Sequence, residues 1–232
     1  MQRFLLLVLM ATVASAVETH KYCWGFLNAH PERTEIPEAK AQEIQKGHMA
    51  HLGKMAGDGN LLSAGPLATP GGARGLLVFK CDTSAQAADW AKDDPAVLNK
   101  RLEVEVYDWR ATGIWGEPLA GKVKADPNYK YQMVQLPFAV LMVTDKAAQA
   151  GRIPPEVGQE HLNYSLELSK QGKLRSFGPF LNGKGKMGII VYGAMKLEEA
   201  KKLAEEDPMV KAGWAKPEVY MWYVADESVP KP

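Results

Sequence analysis

The chain has 232 residues, a length that allows either one large domain or two small ones. Hydrophobic residues make up 46% and charged residues 24%, which is typical of a globular protein and excludes a largely disordered one. Its 28 basic and 27 acidic side chains leave a formal charge of +1. No surplus charge exists to attract a nucleic acid or an anionic membrane surface, so we expect neither as a partner.

The N-terminal segment has the order of a secretory signal peptide. Arg3 precedes an apolar run that continues to Val13, and Ala14-Ser15-Ala16 supplies small residues at a cleavage site. A membrane anchor is the alternative, but about 20 apolar residues are needed to span a bilayer, and Glu18 interrupts the run too early. We expect cleavage after Ala16, a secreted or periplasmic location, and no membrane association afterwards.

The next 90 residues alternate between strand and helix patterns. Apolar spacing, caps and turn residues mark the boundaries of each predicted element. In chain order the elements are a strand at 22–27, a helix opening at Pro37, a strand at 61–64, a strand at 75–80, a helix capped by Thr83 or Ser84, and a strand at 103–109. The order is βαββαβ, which is that of the ferredoxin-like motif.

The sequence then repeats itself with a shift of 113 residues. Between positions 48 and 109, 18 of 62 aligned pairs are identical without a gap, whereas ordinary residue usage gives about four by chance. The second copy repeats the βαββαβ order, with a shorter first helix that opens near Pro154 and Pro155. We therefore predict a signal peptide at 1–16, repeat one at 17–110, a linker at 111–130, repeat two at 131–225 and a frayed tail at 226–232.

The predicted fold class is α+β, with two tandem ferredoxin-like units. Each unit carries two helices on one face of a four-stranded antiparallel sheet, which leaves the other apolar face bare. The two copies would cover each other's bare faces, giving a monomer folded as a pseudo-dimer. The first and third strands are neighbours in this topology, so Cys23 and Cys81 either form a disulfide or remain as two buried thiols.

Two spaced motifs carry a resemblance to a known family. They are His48-x10-Gly59-x-Leu61-x3-Gly65-Pro66 with Asp94-Pro95, and the same pattern from His161 to Pro179 with Asp207-Pro208. The chain resembles the YCII-related (YciI-like) family, whose small members form dimeric α+β barrels. The resemblance implies an intramolecular barrel of this kind, and it implies His48 with Asp94 and His161 with Asp207 as active pairs.

The residues themselves indicate the same pairs. His48 lies on the helix stripe that faces the sheet, where a desolvated imidazole needs a hydrogen-bond partner. Asp94 follows the stripe of the second helix, at the negative end of that helix's dipole, where a carboxylate needs a cation. A carboxylate beside an imidazole fixes its tautomer and makes it a usable acid or base near neutral pH. The alternatives are a pair that only joins two helices, and two residues that lie apart.

Other residues give weaker signals. Ser63 and Ser176 are possible ligand contacts, although ordinary strand positions are the simpler interpretation. Gly65 and Gly178 are expected to serve the Gly-Pro turn, with close approach to a ligand as the second possibility. No Cys or His cluster has zinc spacing, and no phosphate-binding loop is present, so neither metal nor cofactor is expected.

The sequence leaves two functional hypotheses open. The first is a cofactor-free enzyme that moves a proton on a small organic molecule. Elimination or isomerisation is the chemistry that the wider dimeric α+β barrel group implies, by analogy alone. The second is a non-catalytic binding or scaffold protein of the cell envelope.

Overall fold

The computed structural model describes residues 17–68, 73–126 and 128–231. The first unit follows the predicted βαββαβ order, and its first helix begins directly after Pro37, as expected. The second helix of the unit is interrupted, so that a further short helix follows it. The elements are β1 (Thr19–Ala29), α1 (Glu38–Gly57), β2 (Leu61–Pro66), β3 (Ala73–Phe79), α2 (Ser84–Ala91), α3 (Pro95–Leu98) and β4 (Leu102–Thr112).

The second unit repeats this order after a connecting helix, α4 (Glu117–Ala125). It adds one short helix ahead of its main helix, and the main helix is 16 residues long against 20 in the first unit. The elements are β5 (Met133–Val143), α5 (Asp145–Ala150), α6 (Pro155–Lys170), β6 (Leu174–Pro179), β7 (Lys186–Tyr192), α7 (Leu197–Glu206), α8 (Pro208–Lys211) and β8 (Ala215–Ala225). A 3₁₀ turn, Asp226–Ser228, follows.

Each unit forms one antiparallel sheet with the strand order expected of a ferredoxin-like fold. The orders are β2-β3-β1-β4 and β6-β7-β5-β8. Both long central strands are buried through most of their length because helices cover one face and the other sheet covers the second. The predicted α+β class with two tandem units is confirmed.

The two sheets pack face to face over an aromatic core. Trp24 is fully buried and contacts Trp109, Phe138 and Trp222 of both sheets, with ring centroids 4.8, 6.1 and 5.7 Å away. Burying aromatic side chains of 150–250 Å² each supplies the main driving force for joining the sheets. The space between the sheets is a packed core shared by both halves of the chain.

The segments after β4 and β8 join the two units in equivalent ways. Trp115 and Ser228 are 113 positions apart, and each reaches an edge strand of a unit across the interface. The Trp115 indole donates to the Ser176 hydroxyl at 3.2 Å, and the Ser228 and Ser63 hydroxyls are 2.7 Å apart. Trp115 and Ser228 are both buried, at 0% and 1% exposure.

The predicted linker and tail therefore need correction. Strand β4 runs two residues further than repeat one was expected to, and α4 occupies much of the expected linker. The described part of the tail, residues 226–231, is anchored and not frayed, because Val229 is 2% exposed and packs in the core between the sheets. The sequence pattern of these segments was weak because they pack against the opposite unit, and no local periodicity reports such a contact.

The predicted signal peptide, residues 1–16, lies outside the described residues. Within the described ranges, no helix combines the length and the apolar character that crossing a bilayer requires.

Candidate functional site

The first histidine–aspartate pair joins α1 to the start of α3. His48 lies on the buried stripe of α1 with Ile44 and Met55, and His48 itself is 8% exposed. Its Nδ1 lies 2.7 Å from Oδ2 of Asp94, which is 3% exposed. The structure thus brings together two residues that are 46 positions apart in the chain.

Asp94 is held in a different way from the one predicted. Helix α2 already ends at Ala91, and Asp94 is the N-terminal cap of α3. Its Oδ1 accepts the backbone N–H of Ala96 at 2.7 Å. Pro95 explains the break, because proline suits the first position of a helix and disfavours helical backbone in the residue before it. The carboxylate therefore accepts a helix N–H and does not face the negative end of a dipole.

The second unit reproduces this arrangement. Nδ1 of His161 on α6 lies 2.7 Å from Oδ2 of Asp207, whose Oδ1 accepts the N–H of Met209 at 2.8 Å. An ionised carboxylate can only accept hydrogen bonds, so each Nδ1 carries the proton in the neutral ring. Neither Nε2 hydrogen-bonds to any residue in the described part of the chain. In both units Nε2 is the ring nitrogen left for proton exchange.

The neighbouring polar contacts also repeat. Nε2 of His51 lies 3.0 Å from the carbonyl oxygen of Trp90, and the Tyr164 hydroxyl donates to the carbonyl oxygen of Leu203 at 2.9 Å. His51 and Tyr164 are equivalent in the repeat, as are Trp90 and Leu203. Both contacts link the first helix of a unit to the second, which agrees with a packing role for His51.

Two hydroxyl residues near the second pair were missed by sequence reasoning. Ser165 lies one helical turn after His161 and is fully buried, without a hydrogen-bond partner among the described residues. Tyr192 ends β7 and is 1% exposed. Their counterparts in the first unit are Leu52 and Phe79. The signal that could have found them was the departure from the repeat.

The negative charge of Asp207 affects the pKa of two nearby tyrosines. Burial raises the pKa of Tyr192, and the negative charge of Asp207 raises it further. Burial, together with the charges of Glu206 and Asp207, raises the pKa of Tyr164 to about 12. Both phenols remain protonated at neutral pH and can donate hydrogen bonds.

The serines predicted as possible ligand contacts are engaged inside the protein. Ser176 donates to the carbonyl oxygen of Thr112 at 2.6 Å and accepts from the Trp115 indole. Ser63 contacts Ser228, as described above. Both serines belong to the contact between units, and neither lies with a histidine–aspartate pair.

The glycines of the Gly-Pro turns also serve the contact between units. A Cβ on Gly178 would lie 1.8 Å from the carbonyl oxygen of Arg110, and one on Gly65 would lie 2.0 Å from that of Tyr223. Neither glycine is among the positive-φ residues of the described chain. The expected turn role is therefore corrected: these positions need glycine because a strand of the other unit passes against them.

The two cysteines form a disulfide in the structure. Cys23 lies on β1 and Cys81 directly follows β3, with their Cα atoms 5.9 Å apart. Among the described residues, no group of three or more His, Cys, Asp or Glu side chains could hold a metal ion.

Two open clefts lie on the described surface, and neither is lined by a paired histidine. One, of about 560 Å³, lies between α2 and β4 and is lined by Ser84, Glu105 and Lys184 among others. The other, of about 380 Å³, lies between α1 and α3 and includes Gly47 and Pro95, the chain neighbours of the first pair.

Comparison with known proteins agrees with this architecture. A chlorite dismutase mutant from Candidatus Nitrospira defluvii matches with a TM-score of 0.55 and 9% identity, over 93% of this chain and 94% of that one. A haem-binding protein from Thermus thermophilus matches with a TM-score of 0.52 and 14% identity, over 90% and 94% respectively. At these identities the likeness shows the fold alone. No curated protein matches the chain in sequence.

The sequence profile of the YCII-related domain matches the chain twice, at residues 24–110 and 137–223. These two ranges contain both histidine–aspartate pairs and nearly all of the two sheets. The chain therefore belongs to the YCII-related domain family, as a tandem duplicate.

Proposed function

We propose that the protein is an exported, cofactor-free enzyme that moves a proton on a small organic molecule. The observation that carries the proposal is the duplicated arrangement in which a backbone N–H holds an aspartate and the aspartate holds a buried imidazole. One or both of His48 and His161 would act through Nε2. Elimination or isomerisation is the reaction class. One acid–base group can move a proton between two atoms of a substrate in an isomerisation, and one base can remove a proton in an elimination while a leaving group departs from the neighbouring carbon with its bonding electrons.

The geometry supports this role in two ways. The aspartate fixes the ring orientation and the tautomer, so Nε2 is presented without a conformational search. The aspartate is itself restrained, because its second oxygen is bound to a helix N–H. A general acid–base group positioned in this way contributes about a hundredfold to ten-thousandfold in rate.

Haem, which the similar structure from Thermus thermophilus binds, does not fit the described residues of this chain. A haem site needs an apolar slot for the macrocycle and an axial ligand. Large aromatic side chains fill the space between the sheets. Both clefts described above are open at the surface, and no histidine lines them. No step of the proposed reaction is therefore routed through haem.

One observation favours the alternative of a non-catalytic binding or scaffold protein. Each pair bridges two helices of its own unit, and neither described cleft is lined by His48 or His161. A purely structural pair would stabilise the helix layer and exchange no proton with a ligand.

Proton transfer can be tested without knowing the natural substrate. The purified mature protein is incubated with cyclohexanone in D₂O, and deuterium incorporation next to the carbonyl is followed by NMR. A lactone, δ-valerolactone, and a hydroxylated aromatic, catechol, extend the same test to other compound classes. We expect catalysed exchange with at least one probe, and a loss of about a hundredfold or more in the His48→Gln/His161→Gln double variant.

A matched control separates catalysis from folding. His20 lies on β1, away from both pairs, so His20→Gln should exchange at the rate of the unaltered protein. The alternative function is supported if no probe exchanges and the double variant changes only thermal stability. That pattern would overturn the enzyme proposal.

A further inference from the structure

We infer that the two histidine–aspartate sites have diverged, and that the second unit binds the substrate's oxygen through the hydroxyls of Ser165 and Tyr192. In the first unit the equivalent pair serves as a structural link between helices. The inference rests on the proposed proton-transfer function and assigns it to one of the two copies.

The hydroxyl of Ser165 is the first observation. A fully buried hydroxyl without a partner loses its hydration and receives no hydrogen bond in exchange, so its presence calls for a reason. Residues four apart on a helix share one face, which places Ser165 beside His161 on the buried stripe of α6. A ligand atom bound next to Nε2 of His161 would give this hydroxyl its missing partner.

Tyr192 is the second observation, and it comes from a different element. It ends β7 on the face that packs beneath the helices, in the same core as Leu168 and Ala204. Its phenol lies close enough to Asp207 for the negative charge of that carboxylate to raise the pKa of Tyr192. It makes no hydrogen bond to another described residue. Two unpaired hydroxyl donors, one from a helix and one from a strand, thus lie around the second pair.

The first unit lacks both groups. Leu52 and Phe79 occupy the equivalent positions and pack in the helix-facing core of that unit. Cys23 and Cys81, which are joined by the disulfide, are buried in the same core. An apolar surrounding offers no donor to a ligand oxygen, so the first pair keeps only its bridging contact between α1 and α3.

The donors define the class of ligand. Two protonated hydroxyls beside a proton-accepting imidazole suit a carbonyl compound that passes through an enolate. His161 Nε2 would take a proton from the carbon next to the carbonyl, the C–H bonding pair would form a C=C bond to the carbonyl carbon, and the C=O π pair would move onto the oxygen. The hydroxyls would stabilise the charge on that oxygen. In a β,γ-unsaturated carbonyl compound the enolate is conjugated, so return of the proton from Nε2 to the γ carbon would re-form the C=O bond and complete an isomerisation.

The inference can be tested on the full mature chain labelled with ¹⁵N-histidine. Cyclohexanone is titrated in, and the Nε2 resonances of His48 and His161 are followed by NMR. We expect only the His161 resonance to shift. Ser165→Ala should abolish that shift and slow the exchange of cyclohexanone about tenfold or more. Leu52→Ala, the matched change in the first unit, should leave both readouts unaltered.

The outcomes separate the inference from the proposed function. If both histidines respond, or only His48 does, proton transfer stands and the assignment to the second unit is wrong. A His161 shift that survives Ser165→Ala would remove the serine from the site and overturn the inference. If the unaltered protein shows neither a shift nor exchange, the proposed function fails, and the inference fails with it.

Discussion

Replacing Gly178 with alanine tests whether the two units form one closed structure. The new Cβ would lie 1.8 Å from the carbonyl oxygen of Arg110, whereas an ordinary carbon–oxygen contact is about 3.3 Å or longer. Strands β4 and β6 would have to separate by about 1.5 Å on this comparison. Such a shift disrupts the hydrogen bond from the Trp109 indole to the Gly178 carbonyl and the bond from the Leu181 N–H to the Asp108 carbonyl, now 3.0 and 2.8 Å long.

The expected loss of stability follows from these contacts. Two hydrogen bonds contribute about 1 kcal/mol each, and overpacking costs a further 1–3 kcal/mol or so. We expect the free energy of unfolding to fall by about 3–5 kcal/mol, a large part of the 5–15 kcal/mol typical of a domain. Alanine is permitted by the backbone at Gly178, which is not a positive-φ residue, so the loss would report the contact between units.

Urea unfolding followed by tryptophan fluorescence measures this loss, because Trp24, Trp109 and Trp222 lie buried between the sheets. Gly53→Ala is the matched control. Gly53 lies within α1, and a Cβ there meets no atom within 4 Å, so the change should stabilise by about 0.5–1 kcal/mol. If Gly178→Ala changed stability by less than about 0.5 kcal/mol, the close approach of β4 and β6 would be refuted.

Three further changes test other parts of the structure. The double change Cys23→Ser/Cys81→Ser removes a disulfide whose two cysteines have a sequence separation of 58. The free energy of unfolding should fall by about 4 kcal/mol, because the unfolded chain gains entropy. Urea unfolding identical to that of the unaltered protein would contradict the disulfide. Ser165→Ala removes a buried, unpaired hydroxyl and should raise stability by about 1 kcal/mol, whereas destabilisation would mean that the hydroxyl has a partner. Burial alone would raise the pKa of Asp226, but hydrogen bonds from two cationic side chains outweigh it and lower the pKa below 3.8. This group stabilises the fold above that pH and loses its effect as the pH falls through the lowered pKa. Asp226→Asn should therefore be less stable than the unaltered protein at neutral pH, with the difference shrinking below pH 3.8; an unchanged difference would contradict the ion pairs.

The histidine–aspartate pairs were accessible from sequence because their signals are local and repeated. Helical spacing put His48 on a buried stripe, and Asp-Pro marked a helix boundary after the second helix. The predicted position of Asp94 at the C-terminal end of the second helix was wrong, because Asp94 is the N-terminal cap of α3. A boundary pattern cannot tell whether the aspartate closes one helix or opens the next when both lie within a few residues.

The glycines and serines shared by the repeats were interpreted as turn or ligand residues, and the structure assigns them to the contact between units. Gly65 and Gly178 each accept an indole N–H from a tryptophan of the opposite sheet. Identity between copies shows that a position is constrained. It does not show whether the constraint comes from a turn, a ligand or the other half of the chain.

The sequence alone determined the duplication, the βαββαβ order of each unit and the family, because each depends on spacing along the chain. It also required that two bare sheet faces be covered. Tertiary structure alone decided that Trp115 and Ser228 join the two units from equivalent places, and that the Ser165 hydroxyl is buried without a partner among the described residues. Contacts between distant segments depend on how the two sheets pack. The alternation of apolar residues determines which face of each sheet is buried, but it does not determine which side chains meet at the sheet edges.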